Sequence, residues 1–233
     1  MDLEDAARKA LPPAHYGYLA TGTDDDASLR ANREGYQRLY LRPRRLVDVS
    51  ATDTSVEVFG QRWPTPIGLA PIGNQKAFHA LGEVAVARAA KAKGITPFLS
   101  TAATTGIEDF VRELGRPSWY QLYTSNRWDV TERLVRRVEA AGVPVIAVTV
   151  DTQAGRRTET FEHFKLQDKR ECPVCHGTKP EDFFRRKPMY QGIDAVGLRT
   201  TSMAFDWKQL ERLRKLVNVK LMVKGITVGD DAR

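Results

Sequence analysis

Residues 65–80, with the sequence TPIGLAPIGNQKAFHA, decide the fold. Their first half, residues 65–72, is nearly continuous in apolar residues and predicts a short buried β-strand. The turn that follows, from Ala70 to His79, lacks the G-x-G-x-x-G pattern that forms the tight phosphate turn of a dinucleotide-binding sheet. This difference favours a (β/α)8 barrel over an open doubly wound sheet, the other architecture that fits the pattern of the chain.

Strand-like and helix-like segments alternate along the rest of the chain. Further apolar runs that predict strands lie at residues 95–101, 118–124, 144–151 and 219–225. Helical patterns lie at residues 82–93, 107–114, 128–141 and 207–217. Strands that are apolar throughout are typical of parallel strands covered by helices on both faces. We therefore predict an α/β fold, a (β/α)8 TIM barrel of which this chain supplies about five of the eight strands.

Two segments stand outside this alternation. Residues 1–60 predict a helical lead-in, with the strongest helical pattern at residues 27–40 and a short strand-like stretch at residues 54–59. Residues 153–205 are polar and poor in periodicity, which is typical of a functional lid or a disordered segment. The predicted organisation is a lead-in of residues 1–60 and an incomplete barrel of residues 61–233, with a lid-like loop at residues 153–205.

Composition and charge indicate a soluble globular protein with a small anionic ligand. The chain is 42% hydrophobic and 28% charged, and no apolar run approaches the roughly 20 residues that a membrane span needs. Its first residues are acidic and lack the apolar core of a secretory signal, so we expect a cytoplasmic location. The net charge of +7 arises partly from short basic clusters at residues 42–45 and 185–187. Nucleic-acid binding is not predicted, because that function requires a longer basic stripe.

Polar residues end several of the predicted strands, where the active site of a barrel lies. These strand-end residues are Ser100, Thr101, Gln121, Tyr123, Thr149, Asp151 and Lys224. Amide and hydroxyl groups suit the polar edge of a flat heterocycle, a lysine offers a cation where negative charge develops, and Asp151 could orient a neighbouring base. The alternative for each Gln or Thr is that it only closes backbone hydrogen bonds. Lys224 carries more weight, because a lysine inside a sheet is costly to bury without a partner.

The stretch at residues 171–176, ECPVCH, formally matches a c-type haem attachment motif. Haem is not expected, because its covalent attachment follows export and the sequence shows no export signal. Cys172 and Cys175 with either His176 or His163 also form an incomplete zinc set, so no metal site is predicted. A disulfide is not expected in a cytoplasmic chain with two cysteines.

Collinear motifs along nearly the whole chain resemble the FMN-dependent 2-hydroxy acid dehydrogenases and oxidases, the family of glycolate oxidase, lactate oxidase, lactate monooxygenase and mandelate dehydrogenase. The motifs are HYGY at 15–18, LRANR at 29–33, LRPR at 41–44, PIGLAPIG at 66–73, YQLY at 120–123, VTVDT at 148–152, GRR at 155–157 and VKGI at 223–226. The resemblance implies bound FMN and oxidation of a 2-hydroxy acid to a 2-oxo acid. Oxygen or another acceptor would then reoxidise the flavin.

The resemblance also assigns roles to particular residues. The backbone of Ala70, Pro71, Ile72 and Gly73 would lie against the flavin ring, Ser100, Gln121 and Thr149 would hold its polar edge, and Lys224 would stabilise the reduced flavin. Tyr18, Tyr123 and Arg157 would bind the substrate carboxylate and hydroxyl, and Asp151 would steady the catalytic histidine. Tyr123, Asp151 and Lys224 are thus the predicted catalytic residues within this chain.

The match has limits that leave alternatives open. The family's histidine and arginine motif follows strand six and is not within these 233 residues. The stretch from Thr152 to Arg157 is one residue shorter than the family pattern, a departure that bears on the position of Arg157. Gly73 and Ala102 suggest room for substrates larger than glycolate, and the resemblance implies a homotetramer. Another FMN barrel, such as a type 2 isopentenyl diphosphate isomerase, and a non-catalytic fragment are the rival interpretations.

Overall fold

A computed structural model describes residues 3–152, 155, 157–170, 172 and 179–233, except for the side chain of Pro180. The chain divides into two compact units. The first unit comprises Met1–Asp53 and Gly155–Glu171, and the second comprises Thr54–Ala154 and Cys172–Arg233.

The described residues form helices and strands in both units, and the two kinds of element alternate through most of the second unit. The α-helices of the chain are α1 (Leu3–Ala10), α2 (Pro13–Ala20), α3 (Ala27–Tyr36), α4 (Glu83–Lys93), α5 (Ile107–Leu114), α6 (Trp128–Ala140), α7 (Glu159–Leu166), α8 (Pro180–Arg185) and α9 (Trp207–Leu216). The strands are β1 (Val56–Val58), β2 (Gln61–Trp63), β3 (Gly68–Leu69), β4 (Thr96–Ser100), β5 (Trp119–Leu122), β6 (Val145–Thr149) and β7 (Lys220–Lys224). None of the helices within the described residues is long and apolar enough to cross a membrane.

The first unit is helical and contains α1, α2, α3 and α7. Helix α2 begins with Pro13, whose fixed φ favours the first helical position. Gly17 lets α2 approach α7 closely, because a Cβ there would lie 2.6 Å from Cβ of Phe164. The rings of Tyr16 and Phe164 meet edge to face at 5.5 Å, and Tyr16 Oη donates a hydrogen bond of 2.9 Å to Glu4 Oε1 on α1. These contacts hold three of the helices together.

The second unit is built on a parallel sheet of five strands in the order β3-β4-β5-β6-β7. Neighbouring strands pair in chain order, with Ser100 opposite Gln121 and Thr149 opposite Lys224. The predicted α/β class and parallel sheet are therefore confirmed. The sheet does not close into a barrel within the described residues, so the structure shows only the coarser part of the predicted architecture.

The two ends of the sheet differ in chemistry. The antiparallel hairpin of β1 and β2 brings Trp63 against Trp119 and Val145, which lie at the amino ends of β5 and β6. Gln61 on β2 accepts a hydrogen bond of 2.8 Å from Trp119 Nε1. Since side chains alternate along a strand, Gln121 lies on the same face as Trp119, two residues nearer the carboxyl end. This face is apolar at the amino end and polar at the carboxyl end.

The stretch at residues 153–205 is not a plain loop, because it contains α7, α8 and a 3₁₀ turn at Pro188–Tyr190. Phe184, Met189 and Tyr190 are buried and join the core between the sheet and its helices. Helix α8 has only six residues, too few for a helical period to be recognisable in the sequence. Residues 173–178 lie outside the described residues, and with them Cys175 and His176 of the cysteine motif, whereas Cys172 is buried.

Candidate active site

Three buried side chains form a hydrogen-bonded row across the carboxyl ends of β4, β5 and β6. Ser100 Oγ donates to Gln121 Oε1 at 2.9 Å, and Gln121 Nε2 donates to Thr149 Oγ1 at 2.9 Å. Ser100 Oγ also accepts from the backbone N–H of Ala102 at 3.1 Å. The parallel register places the three side chains on one face of the sheet. The structure thus brings together three of the predicted cofactor residues.

Thr101, a strand-end residue with no predicted cofactor or substrate role, reinforces this row. Its Oγ1 donates to the carbonyl oxygen of Gln121 at 2.6 Å and accepts from the N–H of Tyr123 at 3.0 Å. Thr101 is fully buried, so these bonds are shielded from water. They hold the end of β5, and with it the backbone of Tyr123, against the end of β4.

Lys224 and Asp151 form an ion pair beside the row. Lys224 Nζ lies 3.5 Å from Asp151 Oδ2, and the two side chains are 45% and 40% exposed. Lys224 is thus paired and partly accessible to solvent, because β7 lies at the edge of the described sheet. Lys224 presents an accessible cation at the site.

Gly225, which has no role of its own among the predicted site residues, allows this ion pair. Its φ is +111°, and a Cβ there would lie 2.7 Å from Cβ of Asp151. Only glycine tolerates both the backbone conformation and the close approach. The sequence signal for this role is the position of the glycine, directly after the strand-end residue Lys224.

The turn after β3 carries Ala70, Pro71, Ile72 and Gly73. Ala70 and Ile72 are exposed and form an apolar ledge at the end of the strand. Gly73 is buried, and a Cβ on it would lie 2.9 Å from Cβ of Ala102. The two small residues pack against each other, so their size does not by itself widen a substrate site.

The buried carboxylate of Glu83 binds the residues that follow Gly73 in this turn. Glu83, the first residue of α4, is 1% exposed and accepts hydrogen bonds from the backbone N–H groups of Gln75 (3.3 Å) and Thr104 (2.8 Å). It also accepts from the hydroxyls of Thr104 (2.6 Å) and Thr105 (2.9 Å). Glu83 therefore joins the turn after β3 to the loop after β4. The sequence shows only a glutamate at a helix start, which is common on exposed helices as well.

The predicted substrate residues lie in both units. Tyr123 is half-buried in the second unit, whereas Tyr18 and Arg157 belong to the first. Within the first unit, the Tyr18 ring meets the Phe161 ring of α7 at 6.1 Å, and the carbonyl of Arg157 accepts from the N–H of Asp24 at 3.1 Å. Tyr18 and Arg157 thus lie at the same end of the α2 and α7 pair.

The phenol of Tyr190 stays protonated near Tyr123. Burial raises the pKa of Tyr190 well above its usual range, and the phenols of Tyr120 and Tyr123 raise this pKa further. Burial likewise raises the pKa of Tyr120, which packs in the core on the helix side of the sheet. Neither buried tyrosine is therefore a base at neutral pH.

The residues at these strand ends fit a flavin ring. The apolar ledge suits a flat aromatic face, and the Ser100, Gln121 and Thr149 row offers both donors and acceptors to a polar ring edge. Lys224 offers the cation that a reduced, anionic ring requires. Among the described residues, no group of three or more histidine, cysteine or acidic side chains could hold a metal ion.

Comparison with known sequences identifies relatives along the entire chain. The model of the FMN-dependent dehydrogenase family matches residues 7–233. Glycolate oxidase 1 of Oryza sativa subsp. indica is 33% identical over 241 residues, an alignment that covers 100% of this chain and 63% of the relative. The 4-hydroxymandelate oxidase of Amycolatopsis orientalis is 35% identical over 236 residues, covering 100% of this chain and 64% of the relative. This chain therefore spans less than two thirds of the length of these relatives.

Solved structures give the same result. The crystal structure of mandelate oxidase is similar with a TM-score of 0.79 at 30% identity, covering 100% of this chain and 63% of that one. The match with a mandelate oxidase variant bound to 2-hydroxy-phenylacetamide reaches a TM-score of 0.82 at 31% identity. It covers 99% of this chain and 62% of the mandelate oxidase chain. The chain belongs to the FMN-dependent dehydrogenase family.

Proposed function

We propose that this protein oxidises a 2-hydroxy acid to a 2-oxo acid with FMN as the electron acceptor. The observation that carries the proposal is the buried Ser100, Gln121 and Thr149 row, which ends beside the Lys224 and Asp151 pair at one edge of a parallel sheet. The names of the relatives, glycolate oxidase and 4-hydroxymandelate oxidase, support this class of substrate.

Each residue of the site has a role in this proposal. The backbone of Ala70, Pro71, Ile72 and Gly73 supports one face of the flavin, and Ser100, Gln121 and Thr149 bind its polar edge. FMN supplies a two-electron acceptor when it is bound. Lys224 stabilises the negative charge that arises on reduction, because an ammonium group near a developing anion lowers its free energy.

The substrate side of the proposal rests on the family resemblance. Tyr18, Tyr123 and Arg157 bind the carboxylate and hydroxyl of the 2-hydroxy acid, since phenols and a guanidinium recognise those groups. Asp151 orients the histidine that takes a proton from the substrate, a residue that the family carries after its sixth strand. The complete architecture is a (β/α)8 barrel, and the division into residues 1–60 and 61–233 stays a prediction.

Anaerobic reduction of the bound flavin tests the proposal. The protein is purified with FMN, and its flavin band at about 450 nm is followed while glycolate, lactate or mandelate is added without oxygen. Bleaching by one of these acids supports the proposed oxidation. A bound flavin that none of them bleaches would favour the rival isomerase interpretation, and protein that binds no FMN would contradict the proposal.

A matched pair of variants locates the chemistry. Lys224 and Lys220 lie at opposite ends of β7, and Lys220 Nζ donates to the carbonyl of Phe59 near the amino end. Lys224→Met is expected to slow flavin reduction by at least about 100-fold, since it removes a charge-assisted interaction formed on reduction. Lys220→Met leaves the rate of reduction unchanged. Equal effects of both variants would refute the role of Lys224.

We propose a cytoplasmic location and a homotetramer on the basis of the sequence and the resemblance. One relative from Arabidopsis thaliana is named a peroxisomal (S)-2-hydroxyacid oxidase, so a fluorescent fusion is the direct test of location. Light scattering of the purified protein tests the assembly.

A further inference from the structure

A buried lysine outside the proposed site contacts the turn that carries Ala70–Gly73. Lys187 is 1% exposed, and its Nζ donates a hydrogen bond to Asn74 Oδ1. The same Nζ lies 5.2 Å from the centre of the Phe183 ring, within range of a cation–π contact. A lysine this deeply buried is rare, since desolvation of an ammonium group is costly unless fixed polar groups receive it.

The backbone around Lys187 is firmly held. Its N–H donates to the carbonyl of Phe184 at 3.0 Å, and its carbonyl accepts from the N–H of Tyr190 at 2.9 Å. Phe184, Met189 and Tyr190 are all buried in the core of the second unit. The ammonium group is therefore presented from a rigid segment.

Asn74 is the residue directly after Gly73, and its backbone is constrained as well. It has a φ of +59°, a conformation that asparagine tolerates better than most residues. Its N–H donates to the carbonyl of Ala102 at 3.1 Å, and its carbonyl accepts from Ala77 at 2.8 Å. Both backbone groups of Asn74 are therefore hydrogen-bonded, and Lys187 contacts the end of the turn through the side-chain amide of Asn74.

We propose that Lys187 is a positioning residue for the flavin, acting through Asn74 on the turn from Ala70 to Gly73. This inference rests on the proposed function, because it takes that turn to face FMN. Lys187 has two effects: it locks the turn, and it places a fixed positive charge behind it. In a poorly hydrated interior such a charge favours the reduced, negatively charged form of a nearby cofactor over the oxidised form.

Two variants separate the charge from the contact. Lys187→Met keeps most of the stem and removes the ammonium group. Asn74→Gly removes the acceptor while keeping a residue that adopts positive φ readily. Lys208→Met, at an exposed position on α9, is the control for loss of one positive charge.

The first readout is the ratio of the dissociation constants of oxidised and reduced FMN, obtained from the reduction potentials of free and bound flavin. Lys187→Met is expected to weaken binding of reduced FMN relative to oxidised FMN by about tenfold, from loss of a buried charge. Asn74→Gly is expected to shift the ratio in the same direction, and Lys208→Met to leave it unchanged. An unchanged ratio in both Lys187→Met and Asn74→Gly would overturn the inference.

The second readout does not require flavin. Acetic anhydride labels accessible lysines, and the peptides are then quantified by mass spectrometry. We expect Lys187 to be labelled at least about tenfold more slowly than Lys208, and this protection to fall in Asn74→Gly. Protein that binds no FMN would contradict the proposed function, whereas labelling of Lys187 as fast as Lys208 would contradict the inference itself.

Discussion

Gly225 shows how one residue shapes the chemistry of the site. Replacing it by alanine puts a Cβ 2.7 Å from Cβ of Asp151 and forces a side chain into a φ of +111°. We expect Gly225→Ala to lower the free energy of unfolding by more than about 1 kcal/mol, because alanine does not accommodate this backbone conformation. Denaturation in urea measures the loss.

The matched control for this prediction is Gly229→Ala. A Cβ at Gly229 would meet no heavy atom of the described residues within 4 Å, and its φ is not positive. This variant is therefore expected to unfold like the wild type. If Gly229→Ala lost as much stability as Gly225→Ala, neither the backbone conformation of Gly225 nor its close approach to Asp151 would be the cause.

Some residues of the site were predictable from the sequence, and others were not. Ser100, Gln121 and Thr149 each lie at the end of a buried apolar run, so the strand pattern alone brings them to one edge of the sheet. Glu83 and Lys187 have no such signal. Glu83 bonds to Thr104, 21 residues away, and Lys187 bonds to Asn74, 113 residues away, so only the folded structure brings these groups together.

At the scale of elements, one ion pair fastens two neighbouring helices. Arg137 on α6 donates to Glu108 on α5 through Nε (2.7 Å) and Nη2 (2.8 Å), and its Nη1 donates to the carbonyl of Pro188 at 2.7 Å. The hydrogen bonds from Arg137 lower the pKa of the Glu108 carboxyl below its usual value of 4.5. Because the Glu108 side chain is about half exposed, solvent screening limits its contribution to about 1 kcal/mol.

This pair gives a stability difference that depends on pH. The pKa of Glu108 is lower in the folded state, so its contribution is present above the unfolded-state pKa and is lost as pH falls through the folded-state pKa. We expect Glu108→Gln to be less stable than the wild type at pH 7, and the difference to shrink below about pH 4.5. Thermal unfolding across this pH range measures the difference.

An ion pair within a single helix is the control for the pH dependence. Glu211 and Lys215 pair at 2.8 Å on α9, and both side chains are largely exposed. Glu211→Gln is expected to change stability far less at every pH, since exposed pairs within a helix contribute little. A pH-independent deficit in Glu108→Gln would mean that lost packing, rather than the charge, is responsible.

The elements themselves were largely predictable. Each predicted strand of the parallel sheet contains an observed strand, and the helix predicted at residues 107–114 has the same bounds in α5. Apolar strands and amphipathic helices carry their pattern in local sequence. Helix α8 was not predicted because its six residues are too few for a helical period to be recognisable. Helix α7 was not predicted because residues 153–205 are poor in periodicity, and its Phe164 packs against Tyr16, which is distant in the chain.

At the scale of the whole molecule, the sheet is apolar at one end and polar at the other, and FMN should stabilise the fold only through the polar end. A ligand that binds the folded state alone raises the free energy of unfolding by about 2.7 kcal/mol at 100 times its dissociation constant. We expect added FMN to raise the unfolding temperature of the wild type. Replacing Gln121 by leucine should abolish this increase, because the residue bonds to both Ser100 and Thr149.

Gln61→Leu is the matched control, because Gln61 of β2 contacts the amino end of β5, whereas Gln121 lies at the carboxyl end of β5. Gln61 bonds to Trp119 at the amino end of β5, so its loss also leaves a buried donor without its acceptor. Both variants should therefore unfold at lower temperatures than the wild type without FMN, but only Gln61→Leu should keep the increase on adding FMN. An FMN-dependent increase that survives in Gln121→Leu would place the flavin away from the strand-end row, and loss of the increase in both variants would mean that general destabilisation prevents binding.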